Sequence, residues 1–137
     1  MAPDQLLQRI ARTLREDIGP AVDADYPRTQ AFMAAVVLQK LGRQLALTDE
    51  HRLQDATDLL ALQADLQAMT VSLRPPDELA ATLQAVAHHV DAAGLCRLIE
   101  ALYVHRAALG DTTFAALLAR VRRTLRAQID RRMAYSV

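Results

Sequence analysis

RTQAFMAAVVLQKLGRQLALTDEHRLQDATDLLALQADLQAMTVSL, residues 28–73, contains no proline and one glycine, Gly42. As one straight α-helix it would be about 70 Å long, at 1.5 Å per residue. A compact domain of this chain length has a radius of gyration of about 14 Å and is about 35–40 Å across. The stretch must therefore fold back on itself, or project and pack against another chain. Thr48 is a good N-cap residue, and Asp49 and Glu50 suit the positive end of a helix dipole. The pattern thus predicts two helices, over 28–45 and 49–71, meeting at Leu47-Thr48-Asp49. Ala31 to Leu38 is apolar on every side, the mark of a helix buried all round. In the second half, Leu59, Leu62, Leu66, Met69 and Leu73 alternate spacings of three and four, a short heptad seam.

Outward from this stretch, prolines and glycines punctuate the chain. A first amphipathic helix is expected over Pro3–Ile18, with Leu6, Leu7, Ile10, Ala11 and Leu14 as its stripe, stopped by Gly19-Pro20. Residues 21–27 form a loop, and Pro27 suits the first turn of the next helix. Arg74-Pro75-Pro76 is the clearest break. A helix over about 77–92 follows, and Gly94-Leu95 reads as a helix C-terminus. Two more helices, over about 95–109 and 112–133, are separated by Gly110. The expected fold is all-α: a single-domain bundle of five or six helices spanning 1–137, with a central buried helix at about 28–46.

Composition agrees. Ala and Leu make up about a third of the 137 residues, Trp is absent, and no alternating run of β-branched and aromatic residues reads as a strand. There is one lysine, Lys40, against fifteen arginines, a bias read as genomic base composition. Formal net charge is zero, so no global field draws the chain to nucleic acid or membrane. A lone Cys96 gives no disulfide framework and points to a reducing cytoplasm. The expected location is cytoplasmic, with no signal peptide and no membrane-spanning run.

Chemistry-bearing residues are sparse. His51, Asp55 and Asp58 share a helical face, and His88, His89 and Asp91 cluster with His105 on the next helix. The Glu-x-x-His pair of di-iron bundles and His-x3-His are both missing, so solvated or capping histidines are expected and no metal. Asp49, Asp55, Asp58 and Asp65 lie largely off the leucine seam and read as a solvated face rather than an acid–base pair. Cys96 lacks a local oxyanion site and reads as a small buried thiol. No phosphate loop, nucleophile elbow or CxxC occurs. No catalytic residue and no cofactor are expected, and the chain reads as a non-enzyme.

Two features point to partners. Residues 111–137 hold six arginines against two aspartates, a charge of +4 that leaves −4 over 1–110. Arg120, Arg122, Arg123 and Arg126 on this helix are candidate contacts for a protein or for phosphates, with pairing to the acidic helices as the plainer reading. In the loop before the apolar helix, Tyr26 and Arg28 offer an aromatic and a fork of donors. There the plainer reading is Tyr26 as a packing staple and Arg28 paired with Asp23 or Asp25.

Leu7-Gln8-Arg9-Ile10-Ala11-Arg12-Thr13-Leu14-Arg15-Glu16-Asp17-Ile18-Gly19-Pro20-Ala21-Val22, the arginine-led helix at Arg28, and Leu118-Ala119-Arg120-Val121-Arg122-Arg123-Thr124-Leu125 together resemble a family in layout. It is a family of small bacterial helical proteins of unknown function, encoded near aminoglycoside-phosphotransferase-like kinases and acyl-CoA dehydrogenases. The resemblance implies an accessory role near such an enzyme and carries over no catalytic residue. The leading expectation is a non-enzymatic interaction module, a homodimer or an accessory subunit of a metabolic enzyme. A small-molecule- or metal-binding bundle at the Tyr26/Arg28 mouth or the histidines is the alternative. Nucleic-acid contact through the basic C-terminal helix comes third.

Overall fold

The computed structural model describes residues 1–136, and all of its regular structure is helical. Helix α1, Pro3–Thr13, begins on a proline, whose missing N–H is no loss in a first turn. It widens into a π-helical stretch, Leu14–Ile18, and runs on through the short α2, Gly19–Ala21, so the expected stop at Gly19-Pro20 does not occur. Gly19 keeps a helical backbone, φ −55° and ψ −48°, and the helical path ends only after Ala21. Helix α3 spans Asp25–Thr70, 46 residues without interruption. Then follow α4, Asp77–His88; α5, Ala92–Val104; α6, Arg106–Leu109; α7, Asp111–Met133; and a 3-10 turn, Ala134–Ser136. The all-α class is as the composition requires.

The expected break at Thr48 does not occur. Its hydroxyl donates to the Gln44 carbonyl at 2.6 Å, the i−4 back-bond of a threonine inside a helix, and caps no free N–H. Local capping signals were present, but neither proline nor glycine follows to break the ladder. Pro75-Pro76 does end the element, with α4 starting at Asp77. Gly94 also departs from expectation. It lies in the first turn of α5, where its N–H donates to Oδ1 of the N-cap residue Asp91 at 2.6 Å. Gly110, at φ 79°, does terminate a helix in the left-handed region that favours glycine.

Packing divides the chain into two compact units: Met1–Leu53 with the residues from Arg131 onward, and Gln54–Asp130. Helix α3 belongs to the first up to Leu53 and to the second beyond it.

The second unit has a conventional core. Leu62 and Leu66 of α3 meet Leu79 and Val86 of α4, Leu95, Leu98 and Leu102 of α5, and Phe114, Leu117, Leu118 and Val121 of α7. The heptad seam read from the sequence supplies the α3 contribution. Gln63 donates from Nε2 to the carbonyls of Val86 and Ala87, at 2.8 and 3.2 Å, satisfying the end of α4. Tyr103 packs edge-on to Phe114 at 5.1 Å, and the Arg106 guanidinium lies 4.9 Å from the same ring's centre.

The first unit is thinner. Helix α1 runs antiparallel to the first part of α3. A Cβ placed on Gly42 would meet Asp4, Gln8 and Leu7, and one on Gly19 would meet the Phe32 ring. Arg15 Nη2 donates to Gln39 Oε1 at 2.9 Å between these two contacts. The seam is built from small residues: Ala11, Gly19, Ala35 and Gly42 are its buried positions. Near its other end His51 Nδ1 lies 3.0 Å from the Tyr135 hydroxyl. The expectation of a helix at 28–46 buried on every side is overturned. Met33, Val36, Val37, Leu41 and Leu45 are all exposed. The physical reason is coverage: α1 touches one strip of α3, and a strip cannot shield a whole helix.

Candidate functional site

The first unit has two unlike faces, and helical spacing determines which residues fall on each. Taking the Ala35–Gly42 strip as the contact line, Gln39 and Arg43 lie to one side of it on α3. Gln8, Arg12, Arg15 and Glu16 of α1 and the π stretch lie on the same side. Together these residues line an open polar groove of about 410 Å³. It holds three guanidinium groups against one carboxylate. On the other side of the line, α3 presents Ala34, Val37, Leu38, Leu41 and Leu45. Helix α1 presents Leu6, Ile10 and Leu14 there, continued by Ile18.

The α1 half of this second face forms a groove of about 380 Å³ lined by Met1, Leu6, Arg9, Ile10, Thr13, Leu14 and Ile18. Ile18 joins it because of the π turn. Each residue of a π turn advances less around the axis than in an α-helix. A residue that would have rotated past the stripe stays in line with Leu14. The stretch LREDI thus extends the apolar row by one position while Glu16 and Asp17 stay exposed.

Large apolar side chains here are half in water: Leu6 is 48% exposed, Ile10 41%, Leu41 44% and Leu45 50%. Single exposed leucines are ordinary, but a contiguous apolar row rimmed by polar residues marks an interaction surface. A helix with an apolar stripe must bury it against something. Among the described residues of the first unit, the fully buried positions all lie in the seam between α1 and α3. Phe32 and Val36, also exposed, lie on the polar side of the line and do not belong to this face.

The residues singled out in the sequence fall elsewhere. Arg28 is committed to its own loop. Its Nε donates to the Val22 carbonyl at 2.8 Å, its Nη2 to the Asp23 carbonyl at 3.0 Å, and its Nη1 reaches Asp25 at 3.5 Å. It holds the turn that reverses the chain between α2 and α3. Tyr26 is 75% exposed and is no packing staple. In α7, Arg120 donates from Nε to Asp65 at 2.5 Å and from Nη1 to the buried Thr124 at 2.8 Å. Arg122 donates to the Tyr103 hydroxyl at 3.0 Å. Arg123 and Arg126 are exposed, and Arg123 lines a small cleft with Asp58, Arg120 and Thr124. The basic helix is thus tied in part to the acidic side of α3, the plainer of the two readings.

The histidines do not converge. His89 lies 3.6 Å from Asp91, and His105 lies 3.4 Å from Glu78. His88 lines a groove between α3 and α4, while His51 faces Tyr135. Among the described residues no group of three His, Cys, Asp or Glu side chains is placed to hold a metal ion. Cys96 is exposed, correcting the expectation of a buried thiol, because Leu95 and Leu98 take the inward positions of α5. No helix among the described residues is long and apolar enough to cross a membrane.

Sequence reasoning named none of the residues of the apolar face as a site, although every one of them was visible. Ala31–Leu38 was assigned to the interior by its hydropathy, and an interior stripe and an interface stripe have the same hydropathy. Comparison with protein-family models, with curated proteins and with solved structures gives no significant match.

Proposed function

We propose that this protein is a non-enzymatic helical interaction module whose first unit docks an amphipathic helical hairpin on its apolar face. One observation carries the reading. A two-helix hairpin with a polar groove on one side leaves Leu6, Ile10, Ile18, Val37, Leu41 and Leu45 in water on the other. The narrow Ala/Gly seam beneath is a small core for so much helix, so covering the face is also what makes the hairpin stable. An accessory role beside a kinase-like or acyl-CoA-metabolising enzyme rests on the sequence resemblance alone.

Hydrogen exchange tests the reading. Amides of α1 should exchange slowly in the wild-type chain with its partner bound. They should exchange measurably faster in an Ile10→Asp/Leu41→Asp variant, while α5 and α7 keep their protection. Unchanged α1 protection in that variant would show that the face is not covered.

A further inference from the structure

We infer that the hairpin docked on this face is that of a second copy of the chain, so that two first units form a four-helix bundle. The inference rests on the interaction-module reading above and names its partner. A two-fold interface uses the same patch on both subunits, so the patch must be able to complement itself. This one does so in three respects.

The first is shape and length. The face consists of two adjacent antiparallel helices with matched apolar rows, and a copy supplies two more of equal length. Four helices joined by short loops around one apolar core are a stable arrangement. Ala34 beside Leu38 and Leu41 alternates small with large, which lets facing rows interdigitate.

The second is area. Burying a Leu- or Ile-sized side chain removes roughly 60–120 Å² of apolar surface from water. Six such residues, each about half exposed, together with Leu14 and Leu38, offer on the order of 200–400 Å² per copy. A standard interface buries about 800 Å² per partner, a little over half of it apolar. The exposed rows of one copy therefore supply half or more of the apolar area that one side of a stable dimer needs.

The third is charge. Residues 1–53 contain seven basic and seven acidic side chains, and Arg131 and Arg132 bring the first unit to only +2, so two hairpins approach against a weak repulsive field. The like-charged Arg12, Arg15 and Arg43 sit on the far side, around the polar groove, and stay solvated. A face-to-face dimer buries the apolar rows without burying these charges, which would be costly unpaired.

The test uses the full chain. Light scattering behind size exclusion, from low to high micromolar concentration, should give twice the 15.1 kDa chain mass. Ile10→Asp and Leu41→Asp should each raise the dimer dissociation constant at least about 100-fold, because each change occurs twice in a dimer. Both sites are exposed in the protomer, so helical circular dichroism should not change. Arg12→Ala, on the polar side, should leave the dimer intact. A dimer indifferent to both aspartates would overturn the inference, since it would use another surface. A monomer that binds an apolar fluorescent dye, with binding lost in Leu41→Asp, would also overturn it. That result would leave the face as a docking site for a different protein. A monomer that binds no dye would sink both the inference and the reading beneath it.

Discussion

Gly42 gives the most direct test of how the first unit is built. A Cβ at this position would lie 3.1 Å from the Asp4 carbonyl oxygen, 3.3 Å from Gln8 Cγ and 3.4 Å from Leu7 Cβ. Optimal heavy-atom contact is about 3.5–4.0 Å. The closest neighbour is backbone, which cannot swing aside as a side chain can. Two effects oppose one another in Gly42→Ala. Replacing glycine inside a helix gains about 0.8–1.0 kcal/mol of helix propensity. Forcing α1 outward by a few tenths of an ångström costs about 1–3 kcal/mol, the usual range for overpacking. The net expectation is a loss of up to about 2 kcal/mol. Gly42→Leu keeps the propensity gain, but its three further carbons fall where Asp4 and Leu7 sit. Helix α1 must then leave its seam, at a net cost of at least about 2 kcal/mol. For a unit of this size that is a fall in Tm of roughly 8–16 °C. Thermal circular dichroism gives the stability, and residue-level hydrogen exchange assigns the loss to α1. An open, solvated glycine predicts the opposite sign: both variants would stabilise α3 by about 1 kcal/mol. A rise in Tm for Gly42→Leu would therefore refute the packing of α1 on this part of α3.

The remaining predictions concern single elements. Thr48→Ala should be neutral or stabilising by up to about 0.5 kcal/mol, because alanine outranks threonine inside a helix. A helix break at Thr48 would instead make the same change cost about 1 kcal/mol, and urea unfolding distinguishes the two. Asp91→Ala should cost about 1 kcal/mol and speed exchange of the first amides of α5, since it removes the acceptor 2.6 Å from the Gly94 N–H. Leu98→Ala should destabilise the second unit by about 2–5 kcal/mol in denaturant melts, as Leu98 is fully buried among Leu62, Leu95 and Leu117. The α1 amides serve as an internal control in that experiment.

Much of the local structure was legible in the residues. Pro75-Pro76 and Gly110 interrupt helix whatever surrounds them, because a missing N–H or a positive φ acts on the backbone itself, whereas at Gly19-Pro20 the helical backbone runs on to Ala21. The Leu59–Leu73 seam was read correctly because its narrow stripe leaves one way to face a core. Thr48 and Gly94 were misread for a shared reason. Capping residues and glycines are permissive signals, and their outcome depends on whether the next turn continues. At Thr48 it continues, and the hydroxyl turns back to Gln44. At Gly94 the aspartate three residues earlier had already begun a helix. Arg28 was seen as a candidate contact, but its fork is used by the carbonyls of Val22 and Asp23, which only a closed loop brings together.

The sequence by itself determined that this chain is helical, where most of its helices stop, and that Ala31–Leu38 is apolar on every side. Those are properties of propensity, breakers and hydropathy, each acting within a few residues. Tertiary structure alone decided that α3 is continuous from Asp25 to Thr70. It also decided that α1 covers a single strip of it, and that the apolar rows of Leu6–Ile18 and Ala34–Leu45 lie on one side, opposite an arginine-lined groove. Hydropathy records that a side chain avoids water and is silent on what covers it. Coverage is a matter of which elements meet, and here a seam of Ala11, Ala35 and Gly42 brings two helices close enough to share one uncovered face.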